Sequence, residues 1–193
     1  MPDKFFVHAT AVVDAGAVVG AGTRIWHFTH VCASAVIGNN CNLGQSVYVD
    51  HNVRIGNGVK IQNNVSVYDG VVLEDDVFIG PSVVFTNVLN PRSFIERKAE
   101  FQPTLVQKGA SIGANSTVVC GVAIGRYALV GAGSVITSSV LDYALVFGNP
   151  ATLQGWVSRA GHRLQFNGQG SAVCLATGER YAFVNNAVEL LDM

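Results

Sequence analysis

Residues 31–49 read VCASAVIGNNCNLGQSVYV, and Val31, Ile37, Leu43 and Val49 stand at intervals of six within them. The interval continues in both directions: Val7, Val13, Val19 and Ile25 precede the stretch, and Ile55, Ile61, Val67, Leu73, Ile79 and Phe85 follow it without a miss. An α-helix repeats near 3.6 residues and a half-buried strand repeats at two, so neither explains a period of six. A solenoid does: each short strand sends one side chain inward, the chain turns through roughly 120°, and three strands close one triangular coil stacked on the next. The expected fold is all-β, a left-handed parallel β-helix of hexapeptide repeats.

A second set of positions supports that register. Four residues after each inward residue stand small or β-branched side chains, among them Ala11, Ala17, Thr23, Thr29, Ala35, Cys41, Val47, Val53, Val59, Val65, Val71, Val77 and Val83. These suit a tight inner corner. Gly20, Gly38, Gly44, Gly56 and Gly80 directly follow inward residues, and the expectation is that they supply positive backbone angles there. Asn39, Asn57 and Asn63 are expected to serve corners in the same way.

The phase breaks once. After Phe85 the next inward series is Val106, Ile112, Val118, Ile124, Val130 and Ile136, which requires about fifteen extra residues between roughly Asn90 and Thr104, in NPRSFIERKAEFQPT. Such an insertion in a solenoid maps to a binding face. Beyond Ile136 the repeat fades. Asn149-Pro150 is expected to reverse the chain, Thr152 to Arg163 to form a short helix with Leu153, Trp156 and Val157 on one face, and Ala172–Cys174 with Tyr181–Val184 to form a hairpin. The division is a β-helix over 1–147, with the excursion near 90–104, and a C-terminal capping helix and hairpin over 148–193.

Charged residues make up 13% of the 193 and the net charge is −1, a balance that speaks against a nucleic-acid partner. The N-terminus enters the repeat at once, with no apolar stretch of signal-peptide or membrane-spanning length. Cys32, Cys41, Cys120 and Cys174 form no C-x-x-C pair and read as free thiols of a reducing cytoplasm. A triangular prism with so few charges is expected to hide a face in a homotrimer, with binding sites between subunits.

The segment from Phe85 to Ala151 carries the pattern GASIGANSTVVCGVAIG, the loop Thr86-Asn87-Val88-Leu89-Asn90-Pro91-Arg92, and, further on, GHRL and GERY. It resembles the hexapeptide-repeat nucleotide-sugar N-acetyltransferases, in particular the WlbB/WbpD type. That resemblance implies transfer of acetyl from acetyl-CoA to the 3-amino group of a UDP-2-acetamido-3-amino-2,3-dideoxyhexuronic acid for bacterial surface polysaccharide. A dTDP-linked 3-amino-3,6-dideoxyhexose is the alternative acceptor, and a noncatalytic assembly protein a distant one. Tails of this kind also occur with a CPxCGE metal knuckle; here the residues are Cys174-Leu175-Ala176-Thr177-Gly178-Glu179, so no metal is expected there.

Such a transfer needs a neutral amine against the thioester, a donor for the developing oxyanion and an exit for one proton. The resemblance makes Asn87 the residue beside the reacting centre. His51 and Asp69 precede it at the eighteen-residue spacing, so stacked coils about 4.8 Å apart should align the three in a polar column. An amide is no base, so Asn87 is a positioning donor, and His51 is the candidate to take a proton. Arg92, Arg97 and Lys98 on the excursion are the cations for the substrate's anions, with Tyr48 and Tyr68 for the base, and His27 and His30 for a ligand shared with a neighbouring subunit. Acetyl-CoA is expected along Gly113, Ala114, Gly131 and Ala132, with Lys108, Arg126 and Arg159 for its phosphates. A β-helical carbonic anhydrase is excluded by spacing, because no two of His8, His27, His30 and His51 lie eighteen or thirty-six residues apart.

Overall fold

A computed structural model describes residues 4–191. Twenty short strands of two or three residues wind into a triangular solenoid with three faces. The first face runs from Phe6–Val7 through Arg24–Ile25, Asn42–Leu43, Lys60–Ile61, Phe78–Ile79 and Ser111–Ile112 to Leu129–Val130. The second runs from Val12–Val13 to Val135–Ile136, and the third from Val18–Val19 to Ala123–Ile124. All of these pairings are parallel, and partners such as Val7 and Ile25, or Val31 and Val49, lie eighteen residues apart. Across the excursion the partners become Ile79 and Ile112, or Val72 and Leu105, thirty-three residues apart. Fifteen residues therefore leave the coil, as the phase break requires.

Inward side chains make one continuous core. Ile25, Val31, Leu43, Val49, Ile61, Val67, Ile79, Ile112, Val118, Ile124 and Val130 are fully buried. The corner positions four residues on are buried too, and their polar members are satisfied internally: the Thr23 hydroxyl donates to the Gly38 carbonyl and that of Thr29 to the Gly44 carbonyl, both at 2.8 Å. In the first coil, by contrast, Val7, Val13 and Val19 are only partly buried, because no further coil pairs beneath them among the described residues.

The corners correct the expectation about glycine. Positive φ occurs three residues after the inward position, at Phe28, Ser34, Asn40, Ser46, Asn52, Asn64, Asp76 and Ser82, and not at Gly20, Gly38, Gly44, Gly56 or Gly80. Those five glycines answer close approach instead: a Cβ on Gly38 would lie 2.6 Å from the Gly56 carbonyl oxygen. Asn39, Asn57 and Asn63 likewise have ordinary φ. Their side chains form ladders, with Ala21 N–H donating to Asn39 Oδ1, Asn39 N–H to Asn57 Oδ1 and Gln45 N–H to Asn63 Oδ1.

The helix expected over Thr152 to Arg163 does not form. Strand Ala144–Gly148 joins the first face beside Leu129–Val130, the chain reverses at Asn149-Pro150, and strand Ala151–Trp156 returns antiparallel to it. The unsatisfied edge of the last coil gains more from a paired strand than a Gly- and Thr-containing helix would offer. The expected hairpin forms, Ser171–Val173 antiparallel to Arg180–Val184, and a third strand, Ala187–Leu191, extends it to a three-stranded antiparallel sheet. Its own small core of Leu164, Ala172, Cys174, Tyr181 and Val188 meets the solenoid through Tyr143 and Trp156.

If inter-coil approach fixes the corner glycines, Gly38→Ala should cost about 1–3 kcal/mol, the range for an overpacked methyl. Gly168→Ala in the open tail loop, where an added Cβ meets nothing, should stay within about 0.5 kcal/mol. Urea unfolding of the two variants measures the difference, and equal midpoints would refute the assignment.

Candidate active site

Stacking at eighteen residues gives the exterior its own columns. His51, Asp69 and Asn87 each stand two residues after an inward residue of the second face, Val49, Val67 and Phe85, whose strands pair directly. The polar column at this corner therefore exists, on successive coils. Asn87 holds the neck of the excursion: its carbonyl accepts the Gln102 N–H at 2.9 Å. Next to it, the Thr86 hydroxyl accepts the Cys120 N–H at 3.0 Å. The Asn87 side-chain amide makes no hydrogen bond among the described residues and is half-buried, which leaves a donor free beside the loop. Its φ is not in the left-handed region, so backbone tolerance does not explain an asparagine here.

The residue that organises the column was missed from sequence. Asp50 accepts the Tyr48 hydroxyl at 3.1 Å, the His51 N–H at 2.8 Å and the Asp69 N–H at 3.4 Å. Its carboxylate also lies 3.9 Å from His51 Nδ1. The Cys32 thiol donates to the Tyr48 oxygen at 3.4 Å. That contact, followed by burial and by Asp50, pushes the Tyr48 phenol up, so Tyr48 stays a neutral donor near neutral pH. His30 stands edge-on to Tyr48 with ring centroids 5.8 Å apart, and Tyr68 lies 6.2 Å away on the other side. His30, Tyr48, Tyr68, Asp69, His51 and Asn87 are thus neighbours on one wall. The available signal was the eighteen-residue column Asp14, Cys32, Asp50, one position before the column of His51.

His27 is not part of that wall. It lies at the corner after the first face, stacked on His8 at 3.5 Å between centroids, and within one chain it does not meet Asn87's column. The pair also shows that histidines nineteen residues apart can stack, although spacing alone gave them no common column.

The excursion carries its cations unequally. Arg97 is engaged by both oxygens of Glu100 at 2.8 Å, and Lys98 stands 3.9 Å from Glu96. Arg92 donates to the adjacent Pro91 carbonyl and is exposed. Of the three cations, the Arg92 guanidinium is therefore the one free of carboxylates among the described residues.

The residues expected for acetyl-CoA flank the upper strands of the first face from two corners. Gly113, Ala114, Gly131 and Ala132 lie at one, where a Cβ on Gly113 would come 2.5 Å from the Ala132 nitrogen and one on Gly131 would come 2.8 Å from Phe147 Cβ. Coil spacing alone accounts for both glycines. At the other corner Asp76, Lys108, Tyr127, Arg159 and Glu179 line a groove of about 390 Å³. The Arg159 guanidinium sits 5.4 Å over the Tyr127 ring and 3.6 Å from Glu179, while Lys108 reaches Asp76 at 3.9 Å. Arg126 is held through its N–H by Asp142 at 2.8 Å and does not line the groove. In the tail, Cys174 is buried and free; the Ser158 hydroxyl first, then Thr177, lower its thiol to about 7.

Comparison with known proteins agrees with this architecture. The bacterial transferase hexapeptide family (six repeats) matches residues 6–51, 52–87 and 103–138, the coils without the excursion. The dTDP-3-amino-3,6-dideoxy-alpha-D-galactopyranose 3-N-acetyltransferase of Aneurinibacillus thermoaerophilus is 49% identical over 186 residues, 96% of this chain and 95% of that protein. Among solved structures, a hexapeptide transferase family protein from Anaplasma phagocytophilum superposes with a TM-score of 0.56 at 20% identity, covering 81% of this chain and 85% of the other. PerB from Caulobacter crescentus, in complex with CoA and GDP-perosamine, gives 0.51 at 23%, covering 80% and 58%. At those identities the two structures speak for the shared fold. Repeat, excursion and whole-length similarity place the chain in the hexapeptide transferase family, among its acetyl-CoA-dependent nucleotide-sugar N-acetyltransferases.

Proposed function

We propose that this chain transfers the acetyl group of acetyl-CoA to the 3-amino group of a dTDP-linked 3-amino-3,6-dideoxyhexose. The observation that carries this reading is the 49% identity along nearly the whole length to an enzyme named for that acceptor. It favours the 6-deoxysugar over the UDP-linked uronate implied by the first resemblance. The excursion agrees with it. A uronate adds a third anion to the two phosphates and asks for a further free guanidinium, whereas Arg97 and Lys98 already face Glu100 and Glu96.

In this reading the sugar lies against the wall of His30, Tyr48, Tyr68, Asp69 and His51, with its amine at Asn87. Acetyl-CoA reaches the same point along the upper coils, its phosphates toward Lys108 and Arg159. The neutral amine attacks the thioester directly. The Asn87 amide orients the reacting groups or donates to the oxyanion, and the nitrogen's proton leaves to His51, to solvent or to the departing thiolate. The dTDP moiety extends toward Arg92, the loop's free cation.

A trimer belongs to the same proposal. The outward row of the third face, Val18, Val36, Arg54, Val72, Leu105 and Ala123, is apolar except for Arg54, and Val18 is 57% exposed. A surface of that character is expected to be covered by a second copy. Light scattering should give three chains per particle; a fully active monomer would remove this part of the proposal.

Acceptor identity is read by thiol release from acetyl-CoA with a panel of dTDP-3-amino-6-deoxyhexoses and UDP-3-amino-uronates. Turnover confined to the uronates would reverse the assignment. Asn87→Ala should lower kcat by about ten- to a thousand-fold with unfolding temperature unchanged, and an unaltered rate would return Asn87 to a neck residue. Arg92→Ala should raise KM for the nucleotide sugar while leaving KM for acetyl-CoA in place, because the lost contact is to one ligand. A rise for acetyl-CoA alone would put the excursion on the wrong ligand.

A further inference from the structure

A buried thiol on the second face is surrounded by metal-binding side chains from three coils. Asp14, Cys32 and Asp50 follow the paired inward residues Val13, Val31 and Val49 and so stack at the eighteen-residue register. Their backbones are fixed by the ladder: Asp14 N–H donates to the Val31 carbonyl, Cys32 to Val49 and Asp50 to Val67, at 2.8–2.9 Å. His30 stands one residue before Val31 on the same strand, and His51 one residue after Asp50. Asp14, His30 and Cys32 bring one ligand atom each within 4.8 Å of one another, and so do Cys32, Asp50 and His51. Cys32 belongs to both sets.

We infer that Asp14 Oδ2, His30 Nε2 and Cys32 Sγ bind one thiophilic divalent cation of the zinc class, which staples the first coil to the second. Zinc takes thiolate at about 2.3 Å and imidazole or carboxylate at about 2.0–2.2 Å, so tetrahedral ligands stand roughly 3.3–3.8 Å apart. His30 Nε2 and Asp14 Oδ2 already lie 3.1 Å apart, and an ion between them replaces one shared proton. The mixture of sulfur, nitrogen and oxygen donors suits zinc and disfavours magnesium or calcium, which prefer all-oxygen sets.

Access and support agree with this assignment. The Asp14 and His30 side chains are 36% and 44% exposed, whereas Cys32 is 3% exposed at the floor. The ion enters from solvent and meets the thiol last. The Tyr48 hydroxyl, already in contact with the Cys32 sulfur, is placed to turn its proton toward the thiolate as an outer-shell donor. Binding converts the Cys32 thiol to a thiolate and releases its proton to solvent, with no change of oxidation state. The role is structural. Cys32 lies three coils below Thr86, about 14 Å from Asn87's level at about 4.8 Å per coil, and the first coil is where the core is least buried. The inference does not depend on which sugar is acetylated.

Untagged, metal-stripped full-length protein is titrated with Co2+. One ion per chain should bind with thiolate-to-metal charge-transfer absorption, Zn2+ should displace it, and Zn2+ should raise the unfolding temperature. Cys32→Ser and His30→Gln should each abolish the band, while His51→Gln and Cys174→Ser keep it. Absence of the band in the intact chain overturns the site. So does its survival in Cys32→Ser, or its loss in His51→Gln with retention in His30→Gln, which would move the ion to the Asp50 side. Should the Cys32 or His30 variants fail to fold, zinc-edge X-ray absorption on the unaltered protein decides: one sulfur among lighter ligands is expected, and a sulfur-free shell refutes the proposal.

Discussion

The parallel hydrogen-bond ladder between coils is the constraint on which everything else rests. Each of the twenty coil strands is only two or three residues long and has no stability of its own. It persists because its N–H and C=O groups pair with the coils above and below, and because one inward side chain per strand sits on its counterpart eighteen residues away. The ladder demands that coils approach closely at every corner. That demand selects the glycines after the inward positions, whose added Cβ would strike the next coil's backbone. It also selects the Asn ladder that ties corner to corner through Asn39, Asn57 and Asp75.

A lattice this regular fixes exterior side chains as firmly as interior ones. Residues eighteen apart must stand in a column, so Asp14, Cys32 and Asp50, or His51, Asp69 and Asn87, are neighbours whatever their chemistry. Precise placement without helices or long strands follows from this, and precise placement is what a positioning mechanism needs. Where the chain leaves the lattice, it does so once, directly after the column's last member. The neck is closed by the Asn87 carbonyl and the Gln102 N–H, which keeps the side chains of the loop next to a rigid wall.

The charges on the excursion show how position alone misleads. Arg92, Arg97 and Lys98 look equivalent in sequence, yet Glu100 and Glu96 engage two of them. The same lesson applies to acetyl-CoA: Gly113 and Gly131 satisfy coil spacing, while Lys108 and Arg159 share a groove with Tyr127 and Glu179 that no spacing rule draws together.

The sequence by itself determined the solenoid, its register, the size and place of the excursion, and the column of His51, Asp69 and Asn87. All of these follow from a period of six and its multiple of eighteen, and a strict period converts chain position into spatial position. Tertiary structure alone decided the rest. Asp50 emerged as the hub because hydrogen bonds to Tyr48, His51 and Asp69 depend on side-chain direction, which periodicity does not encode. The helix expected after Pro150 became a strand because the open edge of the last coil offered unpaired backbone groups, and a local propensity cannot register an edge that exists only once the coils have stacked.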